Sequence, residues 1–489
     1  MNADNSVDFE EMKIESKLHN NTYPLPKHLK SLNLCYNFPL KPDTIPQSVT
    51  SLYIDKRNEK FDFPLSELLP SSLYNLSIVI NDTFKAGDFS ETLVKLNLGG
   101  CPTNMKILVG MLPKTLRSIS LPKVSAADVY IEPGALPEGL EELIFGQRYK
   151  YSALNIIPTS VTTLFLPQFK DSCYLVDILP KSLKALYLSY YSESLDPCIL
   201  PPTVEVLDMP LFNSNFFKPI TCALKKLTLY SFNQTIDIGV LPETLLELVM
   251  GHYNKPMIRG LLPKSLKFLH TNSLNHPLKP GDLNDGLEVL WLGTYTSPFE
   301  PQSLPTSLKV FTLSNHEYNH PLQISYLINL QELHLDCVDQ ENPFGNETLP
   351  KSLRSLYIGK VSIETISPKT LNQGLLKLVL LEGNINLKQT NLFPQSLQDL
   401  ILPSNFDSEI NQDDLPPNLH TLEFGREFNT KINHLPLSLR ALKFRALFNC
   451  PISIALPKNL RYIFINNVKL IQQLPKFCSV YNALRFSSA

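Results

Sequence analysis

Residues 435–452 read LPLSLRALKFRALFNCPI, and their spacing decides the fold. The last two apolar positions before the bend, Leu442 and Phe444, lie two residues apart, a spacing that shares a face only in extended chain. Pro436 has no amide proton and pushes Leu435 toward extended geometry, so a helix does not lead into this strand. The stretch therefore predicts a strand, a turn and a short return.

The same pattern, L-P-x-x-L-x-x-L-x-L, recurs from Leu25 onward, with prolines such as Pro26, Pro46, Pro137, Pro180, Pro263, Pro305, Pro350 and Pro457. Between the clear copies stand weaker ones in which Ser90, Thr221, Asn284, Leu327 or Asn372 replaces the proline while the leucine spacing survives. Intervals of 20 to 24 residues give about 21 copies and leave no room for a second domain before residue 475. A repeated unit of this length overrides the domain count that 489 residues would otherwise suggest. One copy buries too few leucines to offset the entropy of ordering its backbone, so copies must stack. Stacking with strands about 4.8 Å apart yields a sheet on the order of 100 Å long.

The expected fold is thus a repeat solenoid, leucine-rich-repeat-like, with one long curved parallel β-sheet and short irregular or extended return segments. Residues 1–22 lack the repeat and form an N-terminal polar cap or tail. Phe9, Met12 and Leu18, after a candidate N-cap at Ser6, suggest a short capping helix or disorder there. The array occupies 23–474, and 475–489 form a degenerate C-terminal cap that loses the spacing after Leu474-Pro475. Glycines just past the strand, at Gly99, Gly146, Gly251, Gly293, Gly359 and Gly425, mark a turn leaving the sheet.

In the better copies the strand is followed by an aromatic, an asparagine, often a proline, and an aliphatic residue. Examples are Phe448-Asn449-Cys450-Pro451-Ile452, Tyr253-Asn254-Lys255-Pro256-Met257 and Tyr318-Asn319-His320-Pro321-Leu322. Joined to L-P-x-S-L-x-x-L-x-L, this resembles the FNIP repeat, a relative of leucine-rich repeats expanded in social amoebae and also seen in giant viruses of amoebae. The resemblance covers about residues 23–474 and implies a binding scaffold. Physically, the aromatic fills the interior under the turn, and a buried asparagine amide bonds turn groups from one copy to the next.

A formal net charge of −2 gives no general pull toward nucleic acid or anionic membrane. The eight cysteines are scattered without CxxC pairs and read as small buried residues of a reducing compartment. The acidic N-terminus lacks the features of a signal peptide, and no apolar run is long enough to span a bilayer. A soluble cytoplasmic protein is expected, with no cofactor, no nucleic acid and no membrane among its partners.

One catalytic motif needs an answer. His316-Glu317-Tyr318-Asn319-His320 matches HExxH, which binds zinc when a helix places both histidines on one face. This makes a metal-dependent hydrolase the alternative function. Here the segment coincides with the repeat's turn, and Pro321 follows at once, so a helix does not fit. The histidines between His252 and His334 are read as turn and sheet-face residues rather than a metal cluster. No phosphate loop, nucleophile elbow or kinase signature is present, and no catalytic residue is assigned.

Between the two inward positions of each strand lies a residue that must point outward, in a row running from Asn33 to Phe464. Near its middle stand His270, Trp291, His334 and Tyr357, with Phe268 two residues before His270. Aromatic clusters on an open concave face favour protein contact, so these five are the candidate protein-binding residues. The competing reading is that the rings only stabilise cross-strand pairs. The expected function is a non-catalytic protein-protein interaction scaffold that binds an unknown protein or peptide.

Overall fold

The computed structural model describes residues 10–14, 25–35, 40–56, 61–80, 83–100, 105–122, 129–146, 156–169, 175–336, 349–361, 370–388, 392–445, 448–452, 454–465 and 479–481. The chain divides into two compact units, Met1–Phe232 and Asn233–Ala489. Each is a parallel β-solenoid in which successive copies add successive strands. In the first, parallel pairing is stepwise from Glu11–Ile14 to Lys226–Thr228; in the second it runs from Glu247–Val249 to Ser479–Tyr481.

The two-residue spacing of the leucines produces this directly. In Val289–Leu292 the inward Leu290 and Leu292 are fully buried, while Val289 and Trp291 face away. Register is kept copy to copy, so Leu269, Leu290, Phe311, Leu333, Leu356 and Leu378 line up as one buried row. Just before each strand, one carbonyl accepts two consecutive amides of the next copy. Lys267 O takes Glu288 N and Val289 N, and Glu288 O takes Lys309 N and Val310 N, all at 2.8–3.0 Å.

The proline ahead of the strand shapes a turn through its carbonyl: Pro305 O accepts Leu308 N at 3.1 Å, and Pro436 O accepts Leu439 N at 3.1 Å. The serine of P-x-S-L has a separate task. Ser307 Oγ donates to Leu287 O at 2.6 Å, Ser396 Oγ to Leu375 O at 2.6 Å and Ser438 Oγ to Leu419 O at 2.6 Å, one copy back each time. Two copies that looked degenerate carry the same bond from another atom. There Asn284 and Asn372 stand in the proline position, and Gly286 and Gly374 in the serine position. Asn284 Nδ2 donates to Leu266 O at 2.9 Å, and Asn372 Nδ2 donates to Leu353 O and Pro350 O. Asn-x-Gly-Leu therefore replaces Pro-x-Ser-Leu as a pair of linked changes.

Beyond the strand the aromatic turns inward, as expected: Tyr253, Tyr295, Phe428 and Phe448 are buried. In the first unit Phe212 stacks parallel to Phe232 at 6.1 Å; in the second, Phe428 lies 5.9 Å from Phe406 and 5.7 Å from Phe448. The asparagine ladder exists, but on the outside. Asn254 and Asn275 are exposed, and their side-chain oxygens accept the amides of Asn275 and Thr296 at 3.0 and 2.8 Å. The expected buried amide is corrected for a simple reason: the aromatic occupies the interior, so its neighbour in an extended bend points out.

Two other expectations also change. None of the six post-strand glycines is among the positive-φ residues; a Cβ at Gly293 would meet Asn272 O at 2.5 Å, and one at Gly359 or Gly425 would run into the backbone of Asp336 or Pro403. Close approach of the neighbouring copy, not turn conformation, calls for glycine at those three positions. The left-handed positions lie instead in the return, at Gly239, Gly260 and Gly281, with Gln302 next in the series. At the N-terminus, Glu11–Ile14 is a strand in parallel register with Ser31–Cys35, not a helix. The rest of 1–22, and of 475–489 apart from Ser479–Tyr481, lies outside the described residues. Among the described residues helix is confined to single turns such as Leu65–Leu68, within the wide interval between Pro46 and Pro70.

Candidate functional site

The outward row forms as the sequence spacing requires. In the second unit His270, Trp291, Thr312, His334 and Tyr357 are direct partners across adjacent strands. They do not make one cluster. His270 stacks on Trp291 with centroids 4.7 Å apart, and His334 stacks on Tyr357 at 4.0 Å. Thr312, which has no ring, separates the two pairs. Phe268 stands in the adjacent outward row, followed by Val289 and Val310, so the Trp291 pair is flanked by an apolar strip.

Polar neighbours hold these rings. His270 Nε2 lies 2.8 Å from Asn272 Oδ1, and His334 Nε2 lies 2.5 Å from Glu332 Oε1. Lys377 Nζ sits 4.9 Å above the Tyr357 ring, and a hydrogen bond with Tyr357 holds its ammonium above the usual lysine range. Trp291 keeps 41% of its surface exposed, while Val379, further along the row, is buried. The open part of the row thus centres on the tryptophan.

A ring pair that the sequence reading did not single out lies in the first unit, where Phe165 stacks on Tyr187 at 4.0 Å with planes 4° apart. The signal was available, since consecutive copies carry aromatics at the outward position. Asp208 follows Tyr187 in register, and burial pushes its carboxyl up against the opposing effect of Lys226. Just outside the second-unit row, Glu288 bridges Lys267 at 3.2 Å and Lys309 at 2.7 Å. These charges, two exposed lysines and a half-buried glutamate, frame the apolar strip on the side where the strands begin.

The HExxH segment is a turn. Tyr318 is buried as the aromatic of its copy, and Asn315 supports the bend by accepting Glu317 N and donating to Tyr295 O. Without a helix the histidines lack the one-turn spacing that zinc peptidases use. Among the described residues no group of three or more His, Cys, Asp or Glu side chains is placed to hold a metal. Among them, too, no helix is long and apolar enough to cross a membrane.

Parallel stacked strands, leucine rows and irregular returns define a leucine-rich-repeat-like solenoid. The model of the FNIP Repeat matches residues 19–57, 130–169, 175–212, 212–253, 232–273 and 384–427, so this is an FNIP repeat-containing protein. Among solved structures it is similar to CroV588, described as a novel circular LRR protein, at 24% identity and a TM-score of 0.64, over 94% of this chain and 76% of that one. That likeness is one of fold. YopM from Yersinia enterocolitica WA-314 matches at 21% identity and a TM-score of 0.36, over 93% of this chain and 82% of that one. TLR13 in its complex with ssRNA13 matches at 16% identity and a TM-score of 0.45, over 82% of each chain. No curated protein matches the chain.

Proposed function

We propose that the protein is a non-catalytic interaction scaffold that binds a protein or peptide along the outward face of the second unit's sheet, with Trp291 as the central contact. In this reading 23–474 is the working array and the flanking residues cap it. The observation that carries it is the half-open Trp291, stacked on His270 and bordered by Phe268, Val289 and Val310. A ring that served only cross-strand pairing would gain from being covered, whereas this one combines rigid support with free apolar surface. Supported aromatic residues of this kind dominate binding energy at protein interfaces.

The test is selection of peptides from a displayed random library on the full chain, followed by affinity measurement with Trp291→Ala. Selected peptides should lose about tenfold or more on that substitution, while the melting temperature stays within a degree or two, because the side chain is not packed inside. Peptides that bind Trp291→Ala as well as the wild type would remove this face from the proposal.

A further inference from the structure

The chain's charge is segregated. From Phe428 to Ala489 it carries nine Lys and Arg residues and no Asp or Glu, so all 46 acidic side chains precede Phe428. The overall balance of −2 conceals a basic end on an otherwise acidic chain.

The fold sorts part of this charge onto one row. The residue ahead of each strand, whose carbonyl accepts amides of the next copy, is Lys267, Glu288 and Lys309 in one series and His420, Arg440 and Arg461 in another. In the first series the signs alternate and Glu288 is bonded to both lysines. Elsewhere in the row, Arg117 pairs with Glu141 and donates to Gly139 O, and Arg354 donates to three carbonyls. Arg440 and Arg461 are different. Both are exposed, they sit on adjacent strands about 4.8 Å apart, and their guanidinium groups make no hydrogen bond or ion pair among the described residues. Glu423, an outward carboxylate on the strand paired with Ala441–Phe444, is already bonded to Arg445 at 2.5 Å and lies 3.8 Å from Lys443. Beside the arginines stands Tyr462, 43% exposed, and Lys458 is exposed on the turn that leads into the Arg461 strand. Like charges on neighbouring strands repel, so this arrangement costs stability unless something anionic lies across it.

We propose that Arg440 and Arg461, with His420, Lys458 and Tyr462 around them, form a second binding surface that takes an acidic polypeptide segment. Its carboxylates pair with the two guanidinium forks, and Tyr462 packs against the segment's backbone or apolar side chains. This surface lies seven strands beyond Trp291, roughly 34 Å along the sheet, and does not depend on the aromatic face. A short acidic segment fits better than nucleic acid. The basic run covers only the last rungs, Leu376 and Gln398 precede it in the row, and Asp399 and Glu423 stand beside it, so a long polyanion would soon meet uncharged and acidic surface. Bidentate carboxylate pairing suits two fixed guanidinium groups.

The experiment is fluorescence anisotropy on the full chain, with a labelled peptide of six glutamates, the matching glutamine peptide and a labelled single-stranded oligothymidine of equal charge. The glutamate peptide should bind in low salt and weaken as salt rises, and the glutamine peptide should not bind. Arg440→Gln with Arg461→Gln should weaken the glutamate peptide about tenfold. Lys443→Gln, whose charge Glu423 already partners, and Trp291→Ala should leave it within about twofold. Equal thermal melting of all variants shows that the fold is intact. Absence of glutamate-peptide binding, binding insensitive to the double substitution in a folded variant, or tighter binding of the oligothymidine would each overturn the proposal.

Discussion

Two stretches of the second unit fill the same interior position with different rings. Between residues 253 and 318 the ring is tyrosine, at Tyr253, Tyr295 and Tyr318, with Leu274 in the remaining copy; between 406 and 448 it is phenylalanine, at Phe406, Phe428 and Phe448. The phenylalanines also stack on the inward Phe424 and Phe444, 3.8 Å from Phe428 and 4.2 Å from Phe448. The tyrosines bring a hydroxyl that must be accommodated. Tyr295 Oη accepts Leu278 N at 3.1 Å, whereas Tyr318 Oη, also enclosed, makes no hydrogen bond among the described residues. The comparison separates shape, which both rings satisfy, from polarity, which only one introduces. Tyr295 shows that a turn amide can satisfy a polar atom at the centre of the repeat, and Tyr318 that such an atom is also carried without that bond.

The sharpest way to break both stretches is to attack what they share. Leu290→Asp and Leu442→Asp each place a carboxylate in a fully buried leucine row, and each should cost about 5 kcal/mol or more. Urea unfolding followed by limited proteolysis should show early loss of protection around the altered copy. An unchanged unfolding midpoint for either would contradict the stacking that the fold requires.

Raising the pH should then divide the two stretches. Burial raises the hydroxyls of Tyr295 and Tyr318 and pushes Tyr253 up to about 12 from 10.0. A group whose folded value is raised lends its full stabilisation below the unfolded value and loses it as pH climbs through the folded one. The tyrosine stretch should therefore loosen between about pH 10 and 12 while the phenylalanine stretch holds. Amide exchange resolved along the chain would measure this; simultaneous loosening of both stretches would erase the distinction.

The smallest effect concerns the exposed asparagine ladder beside the tyrosines. Changing Asn254 and Asn275 together to Leu removes the oxygens that accept Asn275 N and Thr296 N, and should cost about 1 kcal/mol. A denaturation midpoint equal to wild type would reduce the ladder to decoration.

Much of this was legible in the chain. The strand follows from leucines two apart, the inward aromatic from its place after the strand, and the outward row from alternation, which is why His270, Trp291, His334 and Tyr357 fall where they were expected. What was not legible depends on neighbours. Gly293, Gly359 and Gly425 answer to the backbone of the preceding copy, which one copy's sequence does not display. Glu11–Ile14 lacks the repeat's leucines yet pairs as a strand because Ser31–Cys35 offers it an edge. The division of the aromatic row into two pairs turns on the single ringless Thr312. That Arg440 and Arg461 make no bond among the described residues shows only against the bonded arginines of equivalent copies.

The two versions of the turn ahead of the strand have a consequence for descent. Pro-x-Ser and Asn-x-Gly deliver a donor to the same carbonyl from side chains two residues apart, so a lineage moving between them by single substitutions passes through a form with two donors or with none. Pro137-Glu138-Gly139 has the donorless combination. Exchange of whole copies between positions avoids that passage altogether, since each copy carries its donor with it and addresses only the copy before. By that route the array can diversify, by shuffling and duplication, without giving up the bond that joins one copy to the next.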